Sequence, residues 1–343
     1  MFDRPDSFPA PMPKPVPQPD PIAALHIGLS SAVAPLVTGT LARLDFDAAS
    51  GRGAAAHSST GALRLRLPLA PLLDAAVHEV WHVQAAVSTG QRDAIHWARG
   101  GGWLVAALEL DEATHGGIEA AAAAAYAALR AFQATQPERH VLRIWNYFAD
   151  INAGTGDVER YKLFCAGRGR GLGDGFVGAY PAATAIGHHD PVRGLIVYWL
   201  ACAQPGARVE NPRQLSAWRY PRQYGPTAPS FARGMRLPNG ALAISGTASI
   251  VGHTSLHAGD FSAQLRESLA NIEALLGAAG MPAGFDAHAP LKVYLRHAQD
   301  LPALRATLAR RLPATTPLQI VLGDVCRAEL LVEIDGWRGL SGA

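Results

Sequence analysis

Cysteine is scarce in this chain, with Cys165, Cys202 and Cys326 the three among 343 residues. An odd and widely spaced set suggests neither a disulfide framework nor a cysteine zinc site, and it fits a reducing cytoplasm. An excess of charge of one sign is also missing: 30 basic and 28 acidic residues leave a formal +2. Nothing in that balance draws the chain to nucleic acid or to an anionic membrane, so an anionic ligand must be held by local arginines. No segment reads as a membrane span. Residues 1–22 hold many prolines and several aspartates but no continuous apolar core, which describes a flexible leader rather than a signal peptide. What is plentiful is apolar side chain, 49% of the residues against 17% charged. That composition is globular and well cored, and the length suits one large or two ordinary domains.

Periodicity gives a repeat. Strands are expected at 63–67, bounded by a turn at 58–61 and by Pro68, and at 103–110. The alanine run at 117–136, carrying Ile118, Tyr126, Leu129 and Phe132, predicts a helix. A strand at 141–148, a helix at 157–166 and strands at 182–186 and 195–203 follow. The second half runs through the same order: strand 241–250, helix 262–279 stopped by Gly280, strand 291–296, helix 301–312, and strands 318–322 and 330–334. Two similar α+β modules are therefore expected, joined near residues 204–211. Laid on one another, they put Tyr198 where Glu333 stands, so the second module alone carries a carboxylate there.

Glu333 is the chain's main anomaly. It sits among Leu331, Val332 and Ile334 in an apolar strand, where a carboxylate must be paired, protonated or functional unless alternation turns it to solvent. His78-Glu-Val-Trp-His82 matches a zinc pattern in which two histidines one helical turn apart bind the metal and the glutamate acts as base. Glu109, Glu112 or His115 could be a third ligand, but no further motif selects one, and a structural role for the pair stays open. The glycine-rich run 167–173 lacks the lysine of a phosphate loop and follows a helix, so it reads as a solvated loop whose arginines could reach a small carboxylate. Residues 211–233 differ in kind. Arginines, prolines and aromatics alternate there in an irregular segment, as in a rigid loop that recognises an anion, although a plain surface crossing stays possible.

Taken together, Ala243-Ile-Ser-Gly-Thr-Ala-Ser249, Gly259-Asp260, Gln264, Asn271-Ile-Glu-Ala-Leu-Leu-Gly277, Gly280, Lys292-Val-Tyr-Leu-Arg296 and Val332-Glu-Ile334 resemble the RidA/YjgF superfamily. The loop 211–233, with Arg143-Ile-Trp-Asn-Tyr147, Glu159-Arg-Tyr161, Phe164-Cys-Ala-Gly-Arg168 and Cys326-Arg327, is similar to the narrower chorismatase family. The resemblance implies an α+β fold of two RidA/YjgF-like modules, each a mixed β-sheet packed on one side by helices, spanning 23–204 and 205–343. It implies an active site in the second module and chorismate as substrate, with no cofactor and no metal.

Family members release pyruvate and leave 3-hydroxybenzoate, a mixture of 3- and 4-hydroxybenzoate, or a dihydroxycyclohexadiene carboxylate. Cleaving an enol ether requires a proton on its methylene carbon, and hence a carboxylic acid kept protonated near neutrality. The resemblance makes Glu333 that donor, puts Cys326 against the ring with Gly246 and Thr247 on the facing strand, and offers Arg168, Tyr220, Arg222 and Arg296 to hold the substrate's carboxylates. Pairing Cys326 with Gly246 points to 3-hydroxybenzoate as a principal product, with 4-hydroxybenzoate able to accompany it. The expectation is a cytoplasmic enzyme, a monomer or small homo-oligomer, with a small-molecule partner and no nucleic acid or membrane. Two readings of other kinds remain: a zinc hydrolase using His78, Glu79 and His82, and a non-catalytic sensor in which Glu333 binds a ligand.

Overall fold

A computed structural model describes residues 21–30, 37–47, 53–57, 61–73, 78–176 and 179–340. Residues 1–20 of the expected leader and 58–60 of the expected turn lie outside the described residues. The first strands, β1 (Leu25–Ser30), β2 (Thr40–Phe46), β3 (Gly53–His57), β4 (Ala62–Leu67) and β5 (His78–Val83), form a sheet in the order β1-β5-β2-β4-β3. Periodicity shows β4 alone of these. In β5 the inward positions are Glu79, Trp81 and Val83, and a glutamate facing inward hides the alternation that marks a half-buried strand.

Next come β6 (Ser88–Arg92), β7 (Ile95–Gly100), β8 (Trp103–Asp111), α1 (Glu112–His115), α2 (Ile118–Gln133), β9 (His140–Ala149), α3 (Arg160–Leu172), β10 (Ala182–His188) and β11 (Gly194–Cys202). Their strands lie in the order β10-β9-β11-β8-β7-β6, with the short strand Asp324–Val325 beside β10. The last part comprises β12 (Ala207–Val209), β13 (Gly234–Arg236), β14 (Leu242–Thr247), the small hairpin β15 (Ile250–Val251) and β16 (Thr254–Ser255), α4 (Phe261–Ala278), β17 (Leu291–Leu295), α5 (Leu301–Arg311), β18 (Leu318–Leu322), β19 (Asp324–Val325) and β20 (Val332–Arg338). Its sheet order is β12-β13-β14-β20-β17-β18.

The two larger sheets share one topology. β9 and β10 are parallel, as are β17 and β18, while β11 and β20 each run antiparallel between two neighbours. The fold is α+β, and the repeat read from the sequence is a repeat of strand order. Helices α2 and α3 cover one face of the first of these sheets, and α4 and α5 cover one face of the second. Their other faces meet each other and the β1–β5 sheet in a single core that includes Trp81, Trp145, Tyr198, Tyr294 and Trp337. Trp145 stacks on Tyr198 with centroids 4.7 Å apart and meets Trp81 edge-on at 5.6 Å, arrangements that add to the area these rings remove from water.

This layering corrects three expectations. Strand 330–334 is displaced: β20 starts at Val332 and runs to Arg338. Val332 and Ile334 face the helices, and the opposite face, which alternation would give to solvent, lies against the other module, so Glu333 is buried. The glycine-rich run 167–173 is helical through Leu172 rather than a loop. A Cβ on Gly167 would overlap the Glu119 carbonyl oxygen, and one on Gly171 that of Ala123, so glycines one turn apart let α3 lie directly on alanine-rich α2, a packing gain that offsets their poor helix propensity. His78 and His82 lie on a strand. There, residues four apart share a face but stand about 13 Å from each other, so they cannot close on one metal as they would on a helix. His78 Nδ1 sits 2.7 Å from an Asp45 carboxylate oxygen, and His82 Nε2 is 3.0 Å from the Thr38 carbonyl oxygen. Among the described residues no helix is long and apolar enough to cross a membrane.

Candidate active site

The two modules leave between them a cavity of about 440 Å³, lined by residues of both. Its base is the β14–β20 pair. The register there slips between Ile244 and Thr247, and a bulge of this kind re-aims side chains at sites. Gly246 turns its bare Cα toward Glu333; a Cβ at that position would overlap Glu333 Oε1. The Gly246 N–H donates to Thr184 Oγ1 at 3.0 Å. Glu333 is 5% exposed. Burial, and then the neighbouring Asp335 carboxylate, push its pKa up to about 8 against the lowering effect of Arg143 and Arg233. Near neutrality it is therefore a carboxylic acid with a proton to give.

Cations and aromatic rings make the walls. Arg168, carried by α3, is 3% exposed and lies over the Tyr126 ring at 4.9 Å. Its Nε and Nη2 have no hydrogen-bond partner among the described residues, and a buried guanidinium with free N–H groups calls for an anion. Arg233 donates to Tyr220 Oη at 2.7 Å and to the Leu215 carbonyl at 2.8 Å. The Arg327 guanidinium stands 4.0 Å from the Tyr224 ring centre and 5.2 Å from that of Tyr220, held there by the His253 carbonyl and Ser255. Such stacking fixes a guanidinium while leaving its edge open to a carboxylate. Cys326 lies on the cavity wall, and burial followed by the adjacent Glu333 pushes its thiol up to about 12. It is a neutral, small, apolar wall group rather than a nucleophile.

Five of the eight site residues expected from the sequence line this cavity: Glu333, Cys326, Arg168, Tyr220 and Gly246. The other three do not. Arg222 is exposed and forms a two-pronged pair with Asp157, at 2.8 and 2.6 Å. Thr247 is buried, with its hydroxyl donated to the Ser245 carbonyl at 2.8 Å. Arg296 gives four of its five N–H groups to Asp324 and to the carbonyls of Leu330, Val325 and Arg327; it fastens the turn that carries Cys326 and Arg327. Sequence reasoning passed over Arg233, the last residue of the loop 211–233. The arginine-rich composition of that loop was a signal, but nothing in it separates Arg233 from Arg213, which is tied to Asn271 and Glu267.

Comparison with known proteins bears on the same region. The family model described as chorismatase FkbO/Hyg5-like, N-terminal, matches residues 79–201. A 3-hydroxybenzoate synthase of Streptomyces hygroscopicus is 35% identical over 276 residues, covering 75% of this chain and 80% of the relative. A chorismatase of Streptomyces rapamycinicus is 36% identical over 282 residues, 77% of this chain and 82% of its own length. A chorismatase crystal structure superposes with a TM-score of 0.82 at 30% identity, over 93% of this chain and 99% of that one. With that similarity spread over most of its length and over both modules, the chain belongs to the chorismatase family.

Proposed function

We propose that this protein converts chorismate to pyruvate and a hydroxybenzoate, chiefly 3-hydroxybenzoate, with Glu333 as general acid. The observation that carries the reading is a carboxyl group held protonated near neutrality at the base of a cavity walled by arginines. Arg168, with Arg233 and Arg327 beside it, supplies charge for the two carboxylates of chorismate and orients the enolpyruvyl ether over Glu333. Glu333 adds its proton to the methylene carbon, and the electron-poor ether carbon then draws electrons from the bond between the oxygen and the ring. Closure of the neighbouring ring hydroxyl on the carbon it leaves, its proton passing back to the Glu333 carboxylate, gives an arene oxide, which opens to the aromatic product. The atoms of chorismate divide between pyruvate and hydroxybenzoate with none left over. Hydrolysis to the dihydroxycyclohexadiene carboxylate takes up one water, so the wall beside the ring selects between the routes by admitting or excluding it.

The test is incubation with chorismate in water enriched in heavy oxygen, with and without a chelator, followed by chromatography and mass measurement of the products. Pyruvate with unlabelled 3-hydroxybenzoate is expected under both conditions. Solvent oxygen on the ring of that product would rule out the intramolecular route, and absence of pyruvate would sink the activity. A ligand sensor on this scaffold releases none.

The wall itself can be altered. Gly246→Ala forces a methyl group against Glu333 Oε1, and Cys326→Val adds bulk across from it. The double variant is expected to move the ratio of diol to 3-hydroxybenzoate upward roughly tenfold, the scale on which one methyl group discriminates in an apolar pocket. An unchanged ratio would remove these two residues from product control. Three free cysteines suit the reducing cytoplasm we assign to it, and the shared strand order on either side supports the division of the chain between residues 204 and 205.

A further inference from the structure

Beneath the cavity a second carboxylate is held with unusual firmness. Asp335 is 1% exposed and lies two residues beyond Glu333, on the same face of β20 and about 7 Å along it. One of its oxygens, Oδ2, accepts from Thr184 Oγ1 at 2.8 Å, Tyr294 Oη at 2.9 Å, Trp145 Nε1 at 3.0 Å and Arg143 Nη2 at 3.1 Å. These donors come from β9, β10 and β17, so both modules grip one group. Thr184 also accepts from the Gly246 N–H, which ties Asp335 to the bulge facing Glu333.

We propose that Asp335 is a positioning residue for the reaction, a fixed negative charge that keeps Glu333 in the protonated form from which it donates. This rests on the reading of Glu333 as proton donor. Charged and titratable groups surround the pair on every side, and Arg168, Arg327, Glu159 and Glu329 line the same cavity as Glu333. Arg143 on β9 and Arg233 from the loop favour the ionised form of Glu333, and Asp335 opposes them. Cys326 on the turn before β20 is a neutral thiol. Tyr147, Tyr198 and Tyr294 on β9, β11 and β17 are held as neutral phenols by burial. Lys292 on β17 is bound to Glu79 of β5 at 2.9 Å and is also drawn to the Asp335 charge. Among the charges that act on Glu333, that of Asp335 favours its proton, and the donors that hold it fix its distance and direction.

Infrared titration tests this, reading the protonated-carboxyl band of Glu333, identified as the band absent from Glu333→Gln, alongside the pH profile of kcat/KM for pyruvate release. In Asp335→Asn the midpoint of the Glu333 band should fall by about one pH unit or more, the effect of removing a like charge at this range from a poorly solvated site. The alkaline limb of kcat/KM should fall by the same amount, with activity restored at lower pH. A merely structural Asp335 would lower activity at every pH and leave the midpoint in place, which would overturn the proposal. A midpoint that moves while the limb stays would instead count against Glu333 as the proton donor, and Asp335 would lose its part in the reaction with it. Should Asp335→Asn not fold, Tyr294→Phe keeps the carboxylate but removes a donor that spreads its charge. Its midpoint should rise by a fraction of a unit, and an unmoved or lower one overturns the assignment.

Discussion

Glu333→Gln is expected to reduce pyruvate release from chorismate by roughly 100-fold or more, the usual loss when a positioned general acid is removed, and at the same time to make the protein more stable at pH 8. Glutamine keeps the shape and fills the space against Gly246 but has no proton to give. The stability gain follows from linkage. The Glu333 carboxyl has a pKa near its ordinary 4.5 in the unfolded chain and about 8 in the folded one. Between those values the folded protein holds a proton that the unfolded chain has released, so this group's contribution is fully present below pH 4.5 and is lost as pH rises through 8. The loss amounts to up to about 5 kcal/mol, and glutamine escapes it. Thermal unfolding of parent and variant across pH 4 to 9 should give curves that coincide at the acid end and separate toward the alkaline end, and parallel curves would contradict the burial argument. A variant that is more stable yet inactive is what a site maintained at the expense of stability predicts.

Lys292→Met is expected to destabilise the fold by about 3–5 kcal/mol, the range for removing one partner of a buried ion pair. Lys292 and Glu79 are 4% and 3% exposed at their side chains, 2.9 Å apart. Burial alone lowers the ammonium's pKa, but the Glu79 carboxylate, with Tyr147 and Asp335, carries it above the ordinary lysine value. Glu79 also accepts from Trp81 Nε1 at 2.8 Å, so the glutamate of the apparent zinc pattern is spoken for by the core. Without Lys292 its charge is stranded. Replacing both, as Glu79→Leu with Lys292→Met, should recover most of the loss, because matched apolar groups can stand in for a buried pair. Urea unfolding of the three variants decides. If the double variant were no better than the single one, packing rather than charge would be the reason for the loss.

Several features of this protein follow from local sequence. Alternation and helix propensity act within a few residues, and they located α2, α4, β8, β9, β14, β17 and β18 closely enough to reveal a repeat of strand order. The anomaly of Glu333 was also local, a carboxylate in an apolar run. The family resemblance then picked out Cys326, Arg168, Tyr220 and Gly246, all of which border the cavity.

What the sequence leaves undecided is which face is covered by what. A strand with apolar residues on one side and Glu333, Asp335 and Trp337 on the other has the same pattern whether that second side meets water or another sheet, and only the docking of the modules chose the latter. The glycines of α3 read as loop because propensity is a property of one helix, whereas their use lies in the contact with α2. His78, Glu79 and His82 satisfy a motif whose chemistry needs a helix, and strand pairing with β1 and β2 spread the histidines apart. Arg233, Arg222 and Arg296 carry the same guanidinium in the sequence. Tertiary structure gave Arg233 the cavity, Arg222 an exposed partner in Asp157, and Arg296 a set of carbonyls, because the partners a long side chain finds are set by segments distant in the chain.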